Sequence, residues 1–565
     1  MAAPCASTLA SLPATLRRWL QASPLRAAML AVAAVFYLAH WLHLSADFPL
    51  NTPWMDWAKY TDEGWYGDAA IRHYTSGHWY FHGDFNPAVA LPVWPALELL
   101  WFRLTGVSAV AARALTLLVF GATLAVTWLL LERSPRDAAM PRRHSDHGVL
   151  RSTAVVETRA HSGSLAAPLA VMLLCVSPYL YVFERMAILE PLLILLALLA
   201  LLTAGSLERG RPGPAIALGV LLPAAVLTKT TALFLLPAIG YRVWARAGYR
   251  WRTALRLAWL PVAIAIALWC AYFFGFVRPH YLEDYLYLFS ANAYTGIGLD
   301  PLAVVVSNVF SDGAWMGLAL YLTGLAVLAL AMFWRPRLFA HPTFTALQIW
   351  LAGYFAFMAY HNNLQPRYYL VLAVPMTLIV AIGLDSFRSA RGRRSHRLTS
   401  SLVAACVLMI AVPDAVRQIL YITHPTYHFR DALRSIATIV RQDPEQKPLV
   451  LSVSGSDLTL FTGVPSIDDD FGVDQLSDRV AQYRPGWYMA WNELDDDKME
   501  ALAPLYDPVR VATFAAYDDP ERNQLVLYRL EPHAFAAQRH ERHRRTPKAL
   551  RTRLGQQPTT EQLTH

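Results

Sequence analysis

The chain has few charged residues for its length. Asp, Glu, Lys and Arg make up 16% of its 565 residues, against 55% hydrophobic residues, whereas a soluble chain carries about 25% charged residues. The deficit is concentrated in apolar runs long enough to span a bilayer, which takes about 20 residues. The net charge of +8 comes from Lys and Arg in short connectors between these runs, which is typical of membrane proteins. The composition therefore predicts a polytopic α-helical membrane protein and not a nucleic-acid-binding one.

Cysteine is scarce as well, and no convincing nucleotide-binding motif is present. The four cysteines, Cys5, Cys175, Cys270 and Cys406, are too scattered for a disulfide framework, so we expect all four to be unpaired. The first apolar run, about 27–44, is longer than a signal-peptide core and is followed by no clear small-residue cleavage site. We therefore expect it to remain as the first membrane span.

The apolar runs predict about eleven spans. They begin near Ala27, Ala109, Ser164, Leu189, Pro214, Thr230, Leu257, Gly313, Thr343, Tyr368 and Ser401. The segment 91–104 is shorter and contains two prolines, so we interpret it as an interfacial helix.

The basic residues between the runs indicate the orientation of the chain. Lys and Arg mark the cytoplasmic connectors of membrane proteins, and with the N-terminus inside every arginine-rich connector falls on the cytoplasmic side. The connectors contain Arg133, Arg136, Arg142, Arg143, Arg151 and Arg159, then Arg209 and Arg211, then Arg242, Arg246, Arg250, Arg252 and Arg256, then Arg335 and Arg337, and last Arg388, Arg391, Arg393, Arg394 and Arg397. The pattern predicts a multi-pass protein of the cytoplasmic (inner) membrane.

The character of the sequence changes after the last apolar run. An amphipathic helix pattern at 429–441 precedes strand-like runs, and strands alternating with helices are typical of a small α/β domain. The strand-like runs are 449–453, 487–491, 509–514 and 525–530. We interpret the acidic segment 467–470 as a solvated turn. The predicted domains are a cytoplasmic tail (1–26), a transmembrane module (27–416) with its first outer loop at 46–108, an extracytoplasmic α/β domain (417–532) and a basic disordered tail (533–565).

The first outer loop carries the candidate chemistry. Asp62 and Glu63 are adjacent acids flanked by aromatic residues, and burial beside a second carboxylate would raise one pKa towards that of a base working near pH 7. The alternative is a pair of solvated acids on an exposed loop. His73, His78 and His82 could bind a divalent metal together with Asp62, or they make ordinary hydrogen bonds.

Several motifs of this loop follow one another in the order of a known family. They are Asp62-Glu63-Gly64-Trp65-Tyr66, Ser76-Gly77-His78-Trp79, Phe85-Asn86, Leu91-Pro92, Leu104-Thr105-Gly106 and Ala111-Ala112-Arg113. This order resembles the first outer loop and second span of the GT-C membrane glycosyltransferases related to protein O-mannosyltransferase and lipid A aminoarabinose transferase. The resemblance implies that Asp62 is the catalytic carboxylate, that Glu63 supports it and that 27–416 is the catalytic module. One departure is that no Lys precedes the prolines in 88–92.

Further positions match the same family. Glu190 resembles the family acid that begins a span a few residues after an Arg, here Arg185. The resemblance favours a catalytic role for Glu190, and the alternative is an interfacial acid paired with Arg185. Lys229 resembles the Lys of the family's Thr-Lys-Gly turn, although Thr230 stands in place of the Gly here. Arg367 resembles a basic residue that precedes aromatic residues in the family. For Lys229, Arg367 and Arg185 we expect binding of the donor phosphate. The alternative for Lys229 and Arg367 is anchoring at the membrane interface.

The resemblance implies an inverting glycosyltransferase that moves a hexosyl or pentosyl unit from a polyprenyl-phosphate donor. Its acceptor would be a hydroxyl of a glycolipid, polysaccharide or protein on the extracytoplasmic face. The partners are then the donor lipid, the acceptor and the bilayer, with no nucleic acid, no cofactor and no metal ligand assigned, while a divalent ion stays open. The alternatives are a transporter or flippase of a lipid-linked sugar and a protein O-glycosyltransferase of the same class.

Overall fold

Helices dominate the computed structural model of the chain. It describes residues 23–50, 52–79, 87–138, 164–291, 299–360, 365–389, 393–469, 475–520 and 522–533. Most of the predicted tails 1–26 and 533–565, part of the first arginine-rich connector, Cys5 and His82 lie outside these residues.

Each of the eleven predicted apolar runs contains a helix. In chain order these helices are α1 (Pro24–Ala39), α4 (Ala109–Ala138), α5 (Ala166–Val176), α7 (Leu189–Gly205), α8 (Pro212–Thr228), α9 (Leu236–Arg246), α10 (Trp251–Tyr272), α13 (Leu318–Trp334), α14 (Pro342–Tyr360), α15 (Leu370–Arg388) and α16 (Arg393–Thr423). In the described part of the chain, four helical segments are long and apolar enough to cross a membrane, namely Ala109–Arg133, Trp251–His280, Pro366–Arg388 and Arg397–Gln442. The count of about eleven spans stays a prediction.

Short helices connect these elements. They are α2 (Asp62–Ser76), α3 (Val93–Thr105), α6 (Pro178–Phe183), α11 (Leu282–Ala291) and α12 (Leu299–Asp312). The helix α3 confirms the helical interpretation of 91–104, and its placement at an interface stays a prediction. In the first loop, a 3₁₀ turn (Trp57–Lys59) leads into α2.

Two apolar helices form the centre of the bundle. The helix α7 packs against α4, α8, α9 and α15, and α15 packs also against α5, α13 and α14. Both are apolar around their whole circumference, which is the pattern of a buried helix, and every residue of α15 from Leu370 to Leu384 is buried. By contrast, α10 exposes large apolar side chains such as Trp259 and Ile266. A helix that is apolar on its outer face suits a hydrocarbon environment and not water.

The C-terminal part is a five-stranded mixed sheet with flanking helices. Its strands are β1 (Val450–Ser452), β2 (Ser466–Asp468), β3 (Trp487–Trp491), β4 (Tyr506–Ala515) and β5 (Gln524–Pro532), in the order β2-β1-β3-β5-β4. The strand β1 pairs in parallel with β2 and β3, whereas β5 is antiparallel to β3 and β4. The helices are α17 (His428–Gln442), α18 (Gly455–Thr462), α19 (Leu476–Tyr483) and α20 (Asp496–Leu502). The four predicted strands and the amphipathic helix at 429–441 are confirmed.

The interpretation of 467–470 as a solvated turn is wrong for the residues that the structure describes. Asp468 ends β2, and both Asp468 and Asp469 are buried. Asp469 accepts a hydrogen bond from the Tyr488 hydroxyl and lies 3.0 Å from Lys498 Nζ. These partners are distant in sequence, so the run of acids alone gave no sign of them. Asp470 lies outside the described residues.

Candidate active site

Four of the predicted site residues meet at one end of the central helices. Asp62 is the first residue of α2, and Glu190 lies in the first turn of α7. Lys229 follows the last residue of α8, and Arg367 lies in a 3₁₀ turn (Pro366–Tyr369) directly before α15. Each of the apolar runs that form α7, α8 and α15 thus has a charged residue at the same end of the bundle. The first loop covers these charged residues.

Arg367 is the centre of this cluster. Its Nη2 lies 3.0 Å from Oδ2 of Asp62, and its Nε lies 3.7 Å from Oε1 of Glu190. Lys229 Nζ donates a hydrogen bond to the same Oε1 of Glu190. All four side chains are buried, with Glu190 fully so. The sequence therefore predicted a set of residues that the structure brings into one network of ion pairs.

The structure adds Asp56 to the cluster, a residue that the sequence did not single out. Its Oδ1 lies 2.5 Å from Arg367 Nη1, and its Oδ2 accepts a hydrogen bond of 2.7 Å from the main-chain N–H of Arg367. Asp56 is 1% exposed, although it stands in the outer loop between Met55 and Trp57. The sequence signal that could have pointed to Asp56 is its place between aromatic residues shortly before the Asp62 motif. Aromatic neighbours favour burial, and a buried acid needs a cation or hydrogen-bond donors as partners.

Aromatic rings line the cluster. Lys229 Nζ lies 4.5 Å from the centre of the Tyr368 ring, close enough for a cation–π contact. The Tyr179 hydroxyl donates to the carbonyl of Pro366, next to Arg367. Tyr66, one helical turn after Asp62, is also buried. These rings exclude water, which strengthens every charge interaction among the cluster residues.

The charges of the cluster do not balance. Asp56, Asp62 and Glu190 face Arg367 and Lys229, so full ionisation would leave a net charge of about −1 at usual side-chain pKa values. Burial raises the pKa of Asp62 to about 6. The charges of Asp56 and Glu190 also raise this pKa, whereas Arg367 lowers it. Burial also lowers the pKa of Lys229, and Glu190 opposes this. Asp62 is therefore a carboxylate that changes protonation close to neutral pH.

Glu63 points to a different set of partners from Asp62. Arg113 binds both of its oxygens, at 2.8 Å from Nε and 2.5 Å from Nη2, and the main-chain N–H of Ala187 donates to it at 3.0 Å. Arg113 also donates to the carbonyls of Leu44 and Ala46. Glu63 thus ties the first loop to α4 and to the turn before α7, and its contacts explain the Arg of the Ala-Ala-Arg motif.

Arg185 is not brought to the cluster. Its Nη2 donates to the carbonyls of Leu42, at 2.8 Å, and His43, at 2.7 Å, and its guanidinium lies 4.4 Å from the centre of the Tyr181 ring. These contacts hold the segment that follows α1 against α6.

The two described histidines of the first loop lie away from Asp62 along the chain of α2. His73 and His78 are exposed, at and just beyond the end of α2, while His82 is outside the described residues. Within the described ranges, no group of three or more His, Cys, Asp or Glu side chains could hold a metal ion. Cys175, Cys270 and Cys406 are free thiols.

The fold that carries this cluster is shared with solved structures of ArnT. The chain is similar to two solved structures of ArnT from Cupriavidus metallidurans. One is bound to undecaprenyl phosphate, with a TM-score of 0.56 and 15% identity over 90% of this chain and 98% of that one. The other is the apo state, with a TM-score of 0.52 and 16% identity over 89% and 97%. At these identities the likeness shows the fold. No family model and no curated protein sequence matches the chain.

Proposed function

We propose that the chain is an inverting glycosyltransferase that moves a hexosyl or pentosyl unit from a polyprenyl-phosphate donor to a hydroxyl acceptor. The observation that carries the proposal is the contact of 3.0 Å between Asp62 and Arg367, which puts a carboxylate of raised pKa next to a buried guanidinium. A base and a phosphate-binding cation are the two groups that such a transfer needs side by side. Support comes from the ArnT fold, solved in one case with undecaprenyl phosphate bound.

The donor phosphate would bind at Arg367 and Lys229. The guanidinium offers several donors in a fixed plane, which matches two phosphate oxygens, and the ammonium of Lys229 lies across Glu190 from it. The helices α7 and α15 begin beside these residues, and the N-terminus of a helix favours binding of an anion. The positive charge therefore comes from the chain itself, so the proposal requires no metal ion.

Asp62 would act as the general base. The acceptor hydroxyl attacks the anomeric carbon, the bond from that carbon to the phosphate oxygen breaks, and Asp62 takes the hydroxyl proton. Arg367 and Lys229 stabilise the charge that develops on the departing polyprenyl phosphate. A single displacement inverts the anomeric centre. Glu190 keeps Lys229 and Arg367 in position by contacting both.

We place this site on the extracytoplasmic side of the inner membrane, because the charge pattern of the connectors puts the first loop there. The acceptor is a glycolipid, a polysaccharide or a protein, and reaches Asp62 from the outside or along the membrane plane.

The test is sugar transfer by the purified full-length protein from a panel of polyprenyl-phosphate sugars to a membrane extract, with the wild type and Asp62→Asn. A matched control is Asp431→Asn, which neutralises an acid that is exposed in the C-terminal domain. Transfer by the wild type and the control, loss in Asp62→Asn and an inverted product by NMR support the proposal. Transfer by none of the three contradicts it, and movement of the same lipids across proteoliposomes would then favour a flippase.

A further inference from the structure

The helix that presents Asp62 has no cap of its own. The first N–H groups of a helix have no partner within the helix, and the side chain of the residue before it usually supplies an acceptor. That residue is Thr61, and its side chain makes no such bond. Its hydroxyl donates to Oδ1 of Asp62 at 3.2 Å. The start of α2 therefore depends on an acceptor from elsewhere.

The C-terminal domain supplies this acceptor. Oδ1 of Asp457, in the first turn of α18, accepts a hydrogen bond of 2.7 Å from the main-chain N–H of Gly64. Gly64 is the third residue of α2, which is a position that an N-terminal capping group normally serves. The cap comes from 393 residues further along the chain, so only the docking of the two domains creates it.

The close approach of the two backbones requires a glycine at position 64. A Cβ atom at Gly64 would lie 2.2 Å from the main-chain nitrogen of Asp457 and 2.3 Å from the main-chain carbon of Ser456. No side chain fits at that distance, so the glycine of the Asp-Glu-Gly motif lets α18 reach the first turn of α2.

Further bonds from the same domain hold the residues before Asp62. Ser454 donates to the carbonyl of Tyr60 at 2.8 Å, and the Tyr517 hydroxyl donates to the carbonyl of Lys59 at 2.8 Å. With the bond at Gly64, the main chain is thus held by the C-terminal domain on both sides of Asp62.

One turn further along α2 the contact continues. The Ser456 hydroxyl lies 2.5 Å from Oδ1 of Asp68 and 3.0 Å from Oδ2 of Asp468. A hydroxyl has one hydrogen to donate, so both contacts are satisfied as hydrogen bonds when one of the two carboxyl groups is protonated. Burial and the nearby Asp68 raise the pKa of Asp468 to about 8, which agrees with that arrangement.

We propose that Asp457 is a positioning residue that caps the Asp62 helix from the C-terminal domain and so holds the Asp62 carboxylate beside Arg367. The domain then supports the active site by holding the main chain on both sides of Asp62. The inference rests on the proposed function for its kinetic consequence, whereas the cap itself is testable without any activity.

The experiment compares Asp457→Ala with Asp457→Asn, since Asn keeps a side-chain oxygen at the same place. Hydrogen exchange of the peptide covering 57–70 is measured by mass spectrometry in the full-length protein, together with kcat and the KM for the donor. The control is Asp478→Ala, which removes an exposed acid from the first turn of α19 in the same domain. Ser454→Ala, a milder change to the same interface, serves if Asp457→Ala does not fold.

For Asp457→Ala we expect faster exchange in 57–70 and a kcat that falls roughly tenfold or more, with little change in KM, because small misplacements of a reacting group are costly. Asp457→Asn and Asp478→Ala should resemble the wild type, and Ser454→Ala should show a smaller increase in exchange. Wild-type exchange in Asp457→Ala, or faster exchange with an unchanged kcat, overturns the proposal. If neither the wild type nor any variant transfers sugar, the proposed function fails. The exchange data alone then decide whether Asp457 caps α2.

Discussion

The carboxylate of Asp56 binds both the guanidinium and the main-chain N–H of Arg367. One carboxylate oxygen lies 2.5 Å from Nη1 and the other accepts the main-chain N–H at 2.7 Å. Asp56 Oδ1 also accepts the N–H of Ala58 at 2.8 Å, which fixes the start of the 3₁₀ turn before Asp62. Because Nη1 is bound to Asp56, Nη2 is directed to Asp62. The orientation of the proposed phosphate-binding group thus depends on an acid that need not touch the substrate.

The Asp56–Arg367 contact predicts the effect of Asp56→Ala. Asp56→Ala leaves Nη1 and the main-chain N–H of Arg367 without their buried acceptor, and an unsatisfied buried donor costs about 1–3 kcal/mol of folding free energy. We expect a lower Tm and a donor KM raised roughly tenfold or more, since Arg367 loses its fixed orientation. Thermal unfolding in detergent and donor titration measure the two effects. An unchanged KM would show that Arg367 does not bind the donor in the orientation seen here.

The pKa of Asp62 predicts the pH dependence of transfer. Its pKa is raised to about 6, so the base is protonated below that pH and ionised above it. The kcat/KM should therefore rise with pH through about 6 and level off above it, because this ratio reports groups of the free enzyme. Rates measured between pH 4.5 and 8 test this. A flat profile in that range would remove Asp62 as the base.

Neutralising Glu63 should affect stability far more than neutralising Asp62. Glu63→Gln leaves Arg113 without its bidentate partner, which costs about 3–5 kcal/mol for a buried pair. Asp62→Asn removes one of three acids facing two cations, so we expect its Tm to stay near that of the wild type or to rise. Thermal unfolding of both variants decides between these roles. Equal losses of Tm would contradict the separate functions assigned to the two neighbours.

Lys229 and Glu190 should show coupled effects on stability. Lys229→Met leaves Glu190 with Arg367 at 3.7 Å as its remaining ion-pair contact within the described cluster, and we expect a destabilisation of about 3–5 kcal/mol. Adding Glu190→Gln removes the unpaired charge and should restore part of the Tm, without restoring transfer. Unfolding of the two single variants and the double variant gives the coupling energy. Strictly additive changes would contradict the ion pair.

The sequence singled out four residues that the structure brings together in the cluster, but not Asp56 or the contact from Asp457. These four residues stand at the ends of apolar runs or in a polar loop, namely Asp62, Glu190, Lys229 and Arg367. An ionisable residue beside an apolar span is costly unless it is paired or functional, so it is a candidate site residue. Asp56 is marked only by its aromatic neighbours, and Asp457 carries no local mark, because the role of each depends on a contact with a residue several hundred positions away. Hydropathy and periodicity are local patterns and do not report contacts of that kind.

The different roles of Asp62 and Glu63 show this division most directly. The sequence by itself determined the apolar helices, the strands of the C-terminal domain and the acidic pair, because each depends on the order of neighbouring residues. Only the tertiary structure decided that Asp62 faces Arg367 while Glu63 faces Arg113. Successive residues of a helix point about 100° apart, so two adjacent acids meet different surroundings, and the packing of distant segments around α2 decides which acid meets which cation.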